Sequence, residues 1–390
     1  MKIYSEELKK IKLIDVFEIV LSGEWGEENL EDNENTAYII RTTNFLNDGT
    51  LDVENRELVK RKISREKIDE KHLKRGDIII EKSGGSPNQP VGRVVYFDIE
   101  SEKNFLCNNF TSILRVKEGI EPKYIFYFLK DCYKKRIVLK YQNKTTGIIN
   151  LKLQDYLKNT EIQLPNIEIQ KKIVEILDKA FLINSLLIEK ERRISELNKC
   201  LFIKMFKENY DKKNWENFSL EEIVEICSSK RVFLDQIVME GIDFYRGTEI
   251  GLLSEGKKIE PKLFITKEHY ENLIAETGKP KIGDLLLPSI CNDGKIWYVN
   301  TEKPFYFKDG RVLWIKESDK VKGKFLQYFL RNEFLMNYKK IASGTTFSEL
   351  KIFSLKKIKV KLPPIELQNQ FAERVKLIEK SKFELFRGVA

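Results

Sequence analysis

At 390 residues, with 42% hydrophobic content that includes 24 Phe and 15 Tyr, the chain can bury two cores, which excludes wholesale disorder. Lys and Arg number 69 against 60 Asp and Glu; the resulting +9 favours a polyanionic partner, but the excess is thin, so any nucleic-acid surface must come from local arrangement. Five scattered cysteines (Cys107, Cys132, Cys200, Cys227, Cys291) form no CxxC pair, the start lacks an apolar signal core, and no run reaches the ~18 apolar residues of a membrane span, so a reduced, cytoplasmic protein without structural zinc is expected.

In chain order, short apolar bursts at Tyr38-Ile39-Ile40, Asp77-Ile78-Ile79-Ile80 and Gly92-Arg93-Val94-Val95-Tyr96-Phe97 predict strands. Pro122-Lys123-Tyr124-Ile125-Phe126-Tyr127-Phe128-Leu129 predicts a helix with proline at its start. These elements make 1–163 a first α+β globular region. A central helical spacer follows over 164–209. Within it the apolar residues keep a heptad: Ile173, Ala180, Leu187, Ile194 and Leu201 form one set, and Ile176, Ile183, Lys190, Leu197 and Lys204 its partner. At ~1.5 Å per residue, Asn166 to Phe206 would span ~60 Å.

The second globular region, 210–361, repeats the texture. Its strands are predicted at Ile282-Gly283-Asp284-Leu285-Leu286-Leu287, Ile296-Trp297-Tyr298-Val299 and Val312-Leu313-Trp314-Ile315, with a helix from near Lys324. The distal segment, 362–390, carries a shorter stripe of Phe371, Val375, Ile378 and Leu385. From Pro364 to Arg387 it would reach only ~36 Å.

Four landmarks recur in the same order about 200 residues apart. They are Gly76-Asp77 with Gly283-Asp284, Tyr127-Phe128-Leu129 with Tyr328-Phe329-Leu330, and Leu164-Pro165-Asn166-Ile167-Glu168-Ile169-Gln170 with Leu362-Pro363-Pro364-Ile365-Glu366-Leu367-Gln368; the helices these last motifs open are the fourth. A period this long is a duplicated domain, since solenoid repeats run ~20–50 residues. The narrow heptad stripe must be covered, and the most economical cover is an antiparallel coiled coil between the two helices. Each helix folding back on its own domain is the alternative.

Chemistry-bearing motifs are sparse. His72 and His269 sit among Lys and Glu and are expected at the surface; no Gly-rich loop ends in Lys-Ser or Lys-Thr, and no Asn-Pro-Pro-aromatic segment is present to hold a flipped adenine. Glu121-Pro122-Lys123 and Glu260-Pro261-Lys262 match the short part of a metal-nuclease pattern, but they also suit the start of a helix or strand. No catalytic residue and no metal ligand is therefore assigned. Candidate DNA contacts fall on loops that join small residues to donors. The first is Lys82, Ser83, Ser86 and Gln89, followed by Arg93, which is expected to serve one half-site only; Ser289, Asn292 and Lys295 are its counterpart. A second pair is Lys144, Thr145 and Thr146 against Thr345 and Thr346, suited to phosphate oxygens or equally to an ordinary turn. Arg41, Asn44 and Arg246 follow strands and complete the set.

Two variable globular regions, each followed by a Leu-Pro-x-Ile-Glu-x-Gln helix, resemble the specificity (S) subunits of type I restriction-modification enzymes over essentially the whole chain. The resemblance implies two target-recognition domains, each reading one half of a bipartite site in double-stranded DNA, with paired helices setting the gap. It implies methyltransferase (M) subunits on the helical region that carry S-adenosylmethionine, and restriction (R) subunits that supply ATP- and Mg-dependent translocation and cleavage. No cofactor is expected on this chain, which would be the non-enzymatic targeting part. A coiled-coil scaffold for two protein-binding domains and a stand-alone metal-dependent nuclease are the competing readings. One departure stands out: family members usually continue the distal helix several turns beyond the point where this chain ends.

Overall fold

The computed structural model describes residues 9–28, 34–86, 89–145, 148–208, 214–291, 293–343 and 348–387. The chain divides into two compact units, Met1–Ser185 and Leu186–Ala390. In the first, the apolar run at Ile78–Glu81 lies inside an antiparallel sheet ordered Phe17–Ser22, Thr111–Val116, Ile78–Glu81, Val94–Tyr96. Successive side chains point to opposite faces. Ile78 and Ile80 enter a core with Leu114, Ile125 and Leu129, while Ile79 enters another with Val95, Phe97 and Ile113. Burial on both faces is why the sequence shows a continuous apolar run here and no alternation. A second sheet orders Glu27–Glu28, Val59–Lys62, Thr36–Ile40 and Phe105–Cys107, the last two strands parallel.

The second unit has the same construction. Its antiparallel sheet is ordered Ile226–Cys227, Val312–Ile315, Leu285–Pro288, Trp297–Tyr298. Leu285, Leu287 and Leu313 face one core, and Leu286, Val312 and Trp314 the other. A mixed sheet of Phe264–Ile265, Ile242–Tyr245 and Phe305–Phe307 again holds one parallel pair. The Gly-Asp landmarks are tight turns before the central strands. Gly76 and Gly283 have φ of +100° and +106°, which favours glycine. The aspartates close the turns by accepting the Lys74 and Lys281 N–H groups at 2.7 and 2.9 Å.

Each unit ends in a strand that runs into a spacer helix. Lys9–Lys12 pairs with Glu161–Leu164 in the first unit, and Asn217–Ser219 with Lys359–Lys361 in the second. The helices that follow are Ile167–Phe202, prolonged by a π-helical turn over Ile203–Lys207, and Ile365–Arg387. The glutamine closing each Leu-Pro motif is buried and forms a staple. Gln170 Oε1 accepts the Glu121 N–H at 2.9 Å while its Nε2 donates to the Pro165 carbonyl at 2.7 Å. Gln368 Oε1 accepts the Lys322 N–H at 2.9 Å, and its Nε2 donates to the carbonyls of Pro363 and Lys320 at 2.8 and 3.1 Å. Glu121 and Lys322 are the residues that cap the helices Pro122–Lys134 and Gly323–Ile341. The spacer helix is thus bonded to the start of the domain's main helix, where backbone N–H groups lack intrahelical partners.

An ion pair further along repeats this joint. Lys123 Nζ meets Asp178 at 2.9 Å, and Lys324 Nζ meets Glu379 at 3.3 Å, each ammonium also lying over a tyrosine ring, Tyr96 or Tyr298. The heptad seam is buried only at its end. Phe202 and Phe206 pack with Phe371 and Val375 in the second unit, with ring centroids 5.3 to 5.7 Å apart between each Phe and Phe371. Ile173, Leu187, Ile194, Leu201 and Ile378 are half-buried, but Ile176, Ile183 and Leu197 are 58, 41 and 53% exposed. The distal helix has 23 residues against 36 in the central one, and beside the half-buried Leu201 it is Phe202 and Phe206 that are enclosed. The side chain of Leu385 lies outside the description.

Gln368→Ala should destabilise the second unit by about 2–3 kcal/mol, because it strips partners from buried backbone groups. Denaturant unfolding read from the tryptophans tests this; a change below about 0.5 kcal/mol, the range of an ordinary surface substitution, would remove the staple from the account. Phe371→Ala should cost about 3–5 kcal/mol in the same assay, through the cavity left among Phe202, Phe206 and Tyr328.

Candidate nucleic-acid interface

The loop after the central strand, the turn before the neighbouring strand and a hairpin meet at one point in each unit. In the first unit the point is Lys82. Its N–H donates to the Phe110 carbonyl at 2.9 Å, and its carbonyl accepts the Leu151 N–H at 2.8 Å. The hairpin pairs Gln142–Thr145 with Ile148–Leu151, and the latter pairs with Ser83–Gly84. Ser83 Oγ donates to Asn150 Oδ1 at 2.6 Å. Two groups predicted separately, the Lys82 loop and the Lys144 hairpin, are therefore one surface. Phe110 and Ile148 stand half exposed on it. Beside it is an open cleft of about 420 Å³ whose lining includes Ser22, Lys82, Ser112, Lys152, Gln154 and the carboxylate of Asp155. Burial lowers the affinity of the Lys82 ammonium for its proton, and its Nζ donates to Ser22 Oγ.

In the second unit the same point is Ser289. Its N–H donates to the Arg311 carbonyl at 2.9 Å, and its carbonyl accepts the Leu350 N–H at 2.7 Å. Ser343 and Glu349, just before Leu350, form an antiparallel bridge. Ser289 is buried, so its backbone shapes the surface and its hydroxyl does not reach out. Arg311 is exposed and Lys295 half-buried, and both are paired, Arg311 with Glu349, Lys295 with Glu255 and Asp293 at 3.2 and 3.0 Å. Thr146, Asn292, Thr345 and Thr346 lie outside the described residues, as do the side chains of Lys144 and Thr145.

Other predicted contacts have structural roles. Arg93 forms a two-pronged pair with Glu81, Nε to Oε2 at 2.9 Å and Nη2 to Oε1 at 3.2 Å, and also donates to the Thr42 carbonyl at 3.3 Å. Glu81 is buried, so Arg93 neutralises an internal charge and does not reach outward. Asn44 is fully buried and joins the Arg41 N–H to the carbonyls of Asp52 and Glu57. Arg41 and Arg246 occupy equivalent positions after the parallel strand, and each donates its N–H to a side chain three residues on, Asn44 or Glu249, at 3.0 and 2.9 Å. Arg41 pairs with Glu57, and Arg246, half exposed, pairs with Glu249. Ser86 and Gln89 close an exposed turn on each other. Phe110, Arg311 and Asn150, which also lie on these surfaces, were not singled out from the sequence; strand pairing places them there, and no sequence pattern announces it.

The rest of the chemistry is quiet. Burial pushes the thiols of Cys107 and Cys227 up to about 11 and that of Cys291 to about 12, so none is a thiolate at neutral pH. Glu121 caps a helix. Among the described residues, no His, Cys, Asp or Glu group is arranged to hold a metal and no helix is long and apolar enough to cross a membrane. His72 is half-buried, not superficial, and burial together with Lys74 and Arg115 lowers its pKa.

A family model for the type I restriction modification DNA specificity domain matches residues 5–199 and again 212–388. The chain is 27% identical over 305 residues to the type I restriction enzyme MjaVIII specificity subunit of Methanocaldococcus jannaschii, covering 71% of this chain and 68% of that one. It is 25% identical over 398 residues to that organism's putative type I restriction enzyme MjaX specificity subunit, covering 96% and 86%. Its fold is similar to the crystal structure of the type I restriction-modification S subunit from M. genitalium, with TM-score 0.59 and 17% identity over 99% of this chain and 94% of that one. The two matched segments correspond to the two halves of the repeat. The chain belongs to the family of type I restriction-modification specificity subunits, and its part in such a system is that of the specificity component, not of an enzyme.

Proposed function

We propose that each unit reads one half of a bipartite site in double-stranded DNA through the surface centred on Lys82 or Ser289. The observation that carries this is a single backbone frame, made by the same pair of hydrogen bonds in both units, that presents different side chains. Lys82 and Lys152, flanking the open cleft, suit a phosphate, while the hairpin and the turn beside them suit base edges. The helices that follow the two units are the spacer that sets the unread gap. The exposed apolar residues of the central helix, Ile176, Leu182, Leu186 and Ile188 among them, are the surface for methyltransferase subunits. Those subunits bring S-adenosylmethionine, and restriction subunits bring the ATP- and Mg-dependent steps, in the cytoplasm.

Co-expression with the cognate methyltransferase subunit, followed by mapping of methylated adenines across the host genome, tests the reading. A split motif with a fixed gap is expected. A co-purifying, active complex that methylates adenines without such a motif would sink it. Lys82→Ala should leave the motif intact but weaken binding and lower the salt slope by about one, as loss of a phosphate contact does. Arg93→Ala should instead lower stability by about 3 kcal/mol, because it strands the buried Glu81 charge; calorimetry beside binding assays separates the two effects.

A further inference from the structure

One position of the shared frame is occupied by opposite chemistries. Phe110 and Arg311 each stand immediately before the strand that neighbours the central one, and each gives its carbonyl to the residue after that central strand, at 2.9 Å in both units. Strand register confirms the match. Thr111 faces Glu81 and Val312 faces Pro288, so the residues before them, Phe110 and Arg311, correspond. Upstream, Phe105 pairs with Tyr38 and Phe305 with Asp243, each in the parallel pair. The extra residue between these landmarks is accommodated at Gly310, whose φ is +64°.

The two side chains share exposure and little else. Phe110 is 48% exposed, an unusual place for a large aromatic in a polar turn, and its carbonyl also accepts the Ser83 N–H at 3.1 Å. It therefore stands beside the Ser83–Asn150 hydrogen bond on the first surface. The Arg311 side chain is 61% exposed, and one arm of its guanidinium is held by Glu349. The Glu349 backbone is in turn fixed by reciprocal bonds with Ser343 at 2.9 Å. A guanidinium held by one arm presents its remaining donors in a fixed fork.

We infer that Phe110 and Arg311 make the two half-sites differ: Phe110 meets a thymine methyl and selects an A·T pair, and Arg311 meets O6 and N7 of a guanine and selects a G·C pair. The chemistry follows from the major groove, where the thymine methyl is the apolar feature and the two guanine acceptors match a guanidinium fork. The inference rests on the proposed DNA-reading role, and it adds which residue assigns which base. Neither residue belongs to the helical joints, so changing it leaves the gap alone.

The test is the methylation map of the full chain in complex with its methyltransferase subunit, for wild type, Phe110→Ala, Phe110→Leu, Phe110→Arg and Arg311→Ala. Phe110→Ala should relax one A·T position of one half-site by roughly tenfold in discrimination, with the other half and the gap unchanged. Phe110→Leu, which keeps an apolar contact, should retain that base, and Phe110→Arg should turn the position toward G·C. Arg311→Ala should relax a G·C position in the opposite half. A split motif in wild type that stays identical in Phe110→Ala and Arg311→Ala, or that degrades equally in both halves, overturns the inference and leaves the reading role standing. Absence of any split motif in wild type overturns both. If Phe110→Ala fails to co-purify, Phe110→Leu and the opposite-half prediction for Arg311→Ala decide the matter.

Discussion

The buried amide of Gln170, and of Gln368 in the second unit, is the contact on which the architecture depends. A reader of two separated half-sites must hold each domain at a fixed angle to its spacer, and a flexible hinge there would blur the gap. The staple removes the hinge by joining the first turn of the spacer helix to the capping residue of the domain's main helix. Glutamine suits this place because one terminal amide supplies both an acceptor for an unpaired helix N–H and a donor for a carbonyl of the Leu-Pro turn. Proline in that turn, besides ending the strand, gives up the carbonyl the amide needs. Glu168 and Glu366 in the first helical turns complement the helix dipole. The repeated Leu-Pro-x-Ile-Glu-x-Gln motif is therefore a joint, and its recurrence reflects the same mechanical demand met twice.

Much of the fold was legible because strong local signals agree with it. The Ile78-Ile79-Ile80 run, the proline opening the Pro122–Lys134 helix and the Gly-Asp turns each announce their element, and the repeat supplies a second copy of the apolar run and of the Gly-Asp turn. Assignment of individual arginines was less legible. Arg93 stands at the start of the predicted Gly92–Phe97 strand, just after a polar loop, and there reads in sequence as an available donor. Its fate depends on Glu81, twelve residues away across a strand pair, and no periodicity reveals that pairing. The heptad located the two helices but not which of its neighbours are enclosed: Phe202 and Phe206 are buried against Phe371, while Leu201 beside them is half-buried. Phe110 went unnoticed because an aromatic in a sequence is by default a core residue, and only its place in the fold exposes it.

The two units also divide their labour between frame and surface. Residues that build the frame act through backbone groups or are buried: the carbonyls of Phe110 and Arg311, the N–H groups of Lys82 and Ser289, and Asp77 and Asp284 at the turns. Side chains projecting from that frame are free of its constraints and can diverge without a cost in folding. This separation explains how 17% identity to a solved relative is compatible with a shared fold across nearly the whole chain.

On the proposed DNA-reading role, the charge distribution at the second surface favours discrimination over raw affinity. Three cations near the second surface are held by carboxylates, Arg311 by Glu349, Arg246 by Glu249, and Lys295 by Glu255 and Asp293. A bare lysine or arginine on a DNA-facing surface attracts any phosphate and strengthens binding to every sequence. A cation held by a carboxylate gains less from a phosphate and more from a base edge that reproduces the geometry in which it is held. The neighbouring carboxylate also repels backbone phosphates that approach out of register. With only +9 over 390 residues, the chain has little sequence-independent attraction to spare. Specificity, a difference between affinities, is gained on such a surface by keeping the non-specific one low.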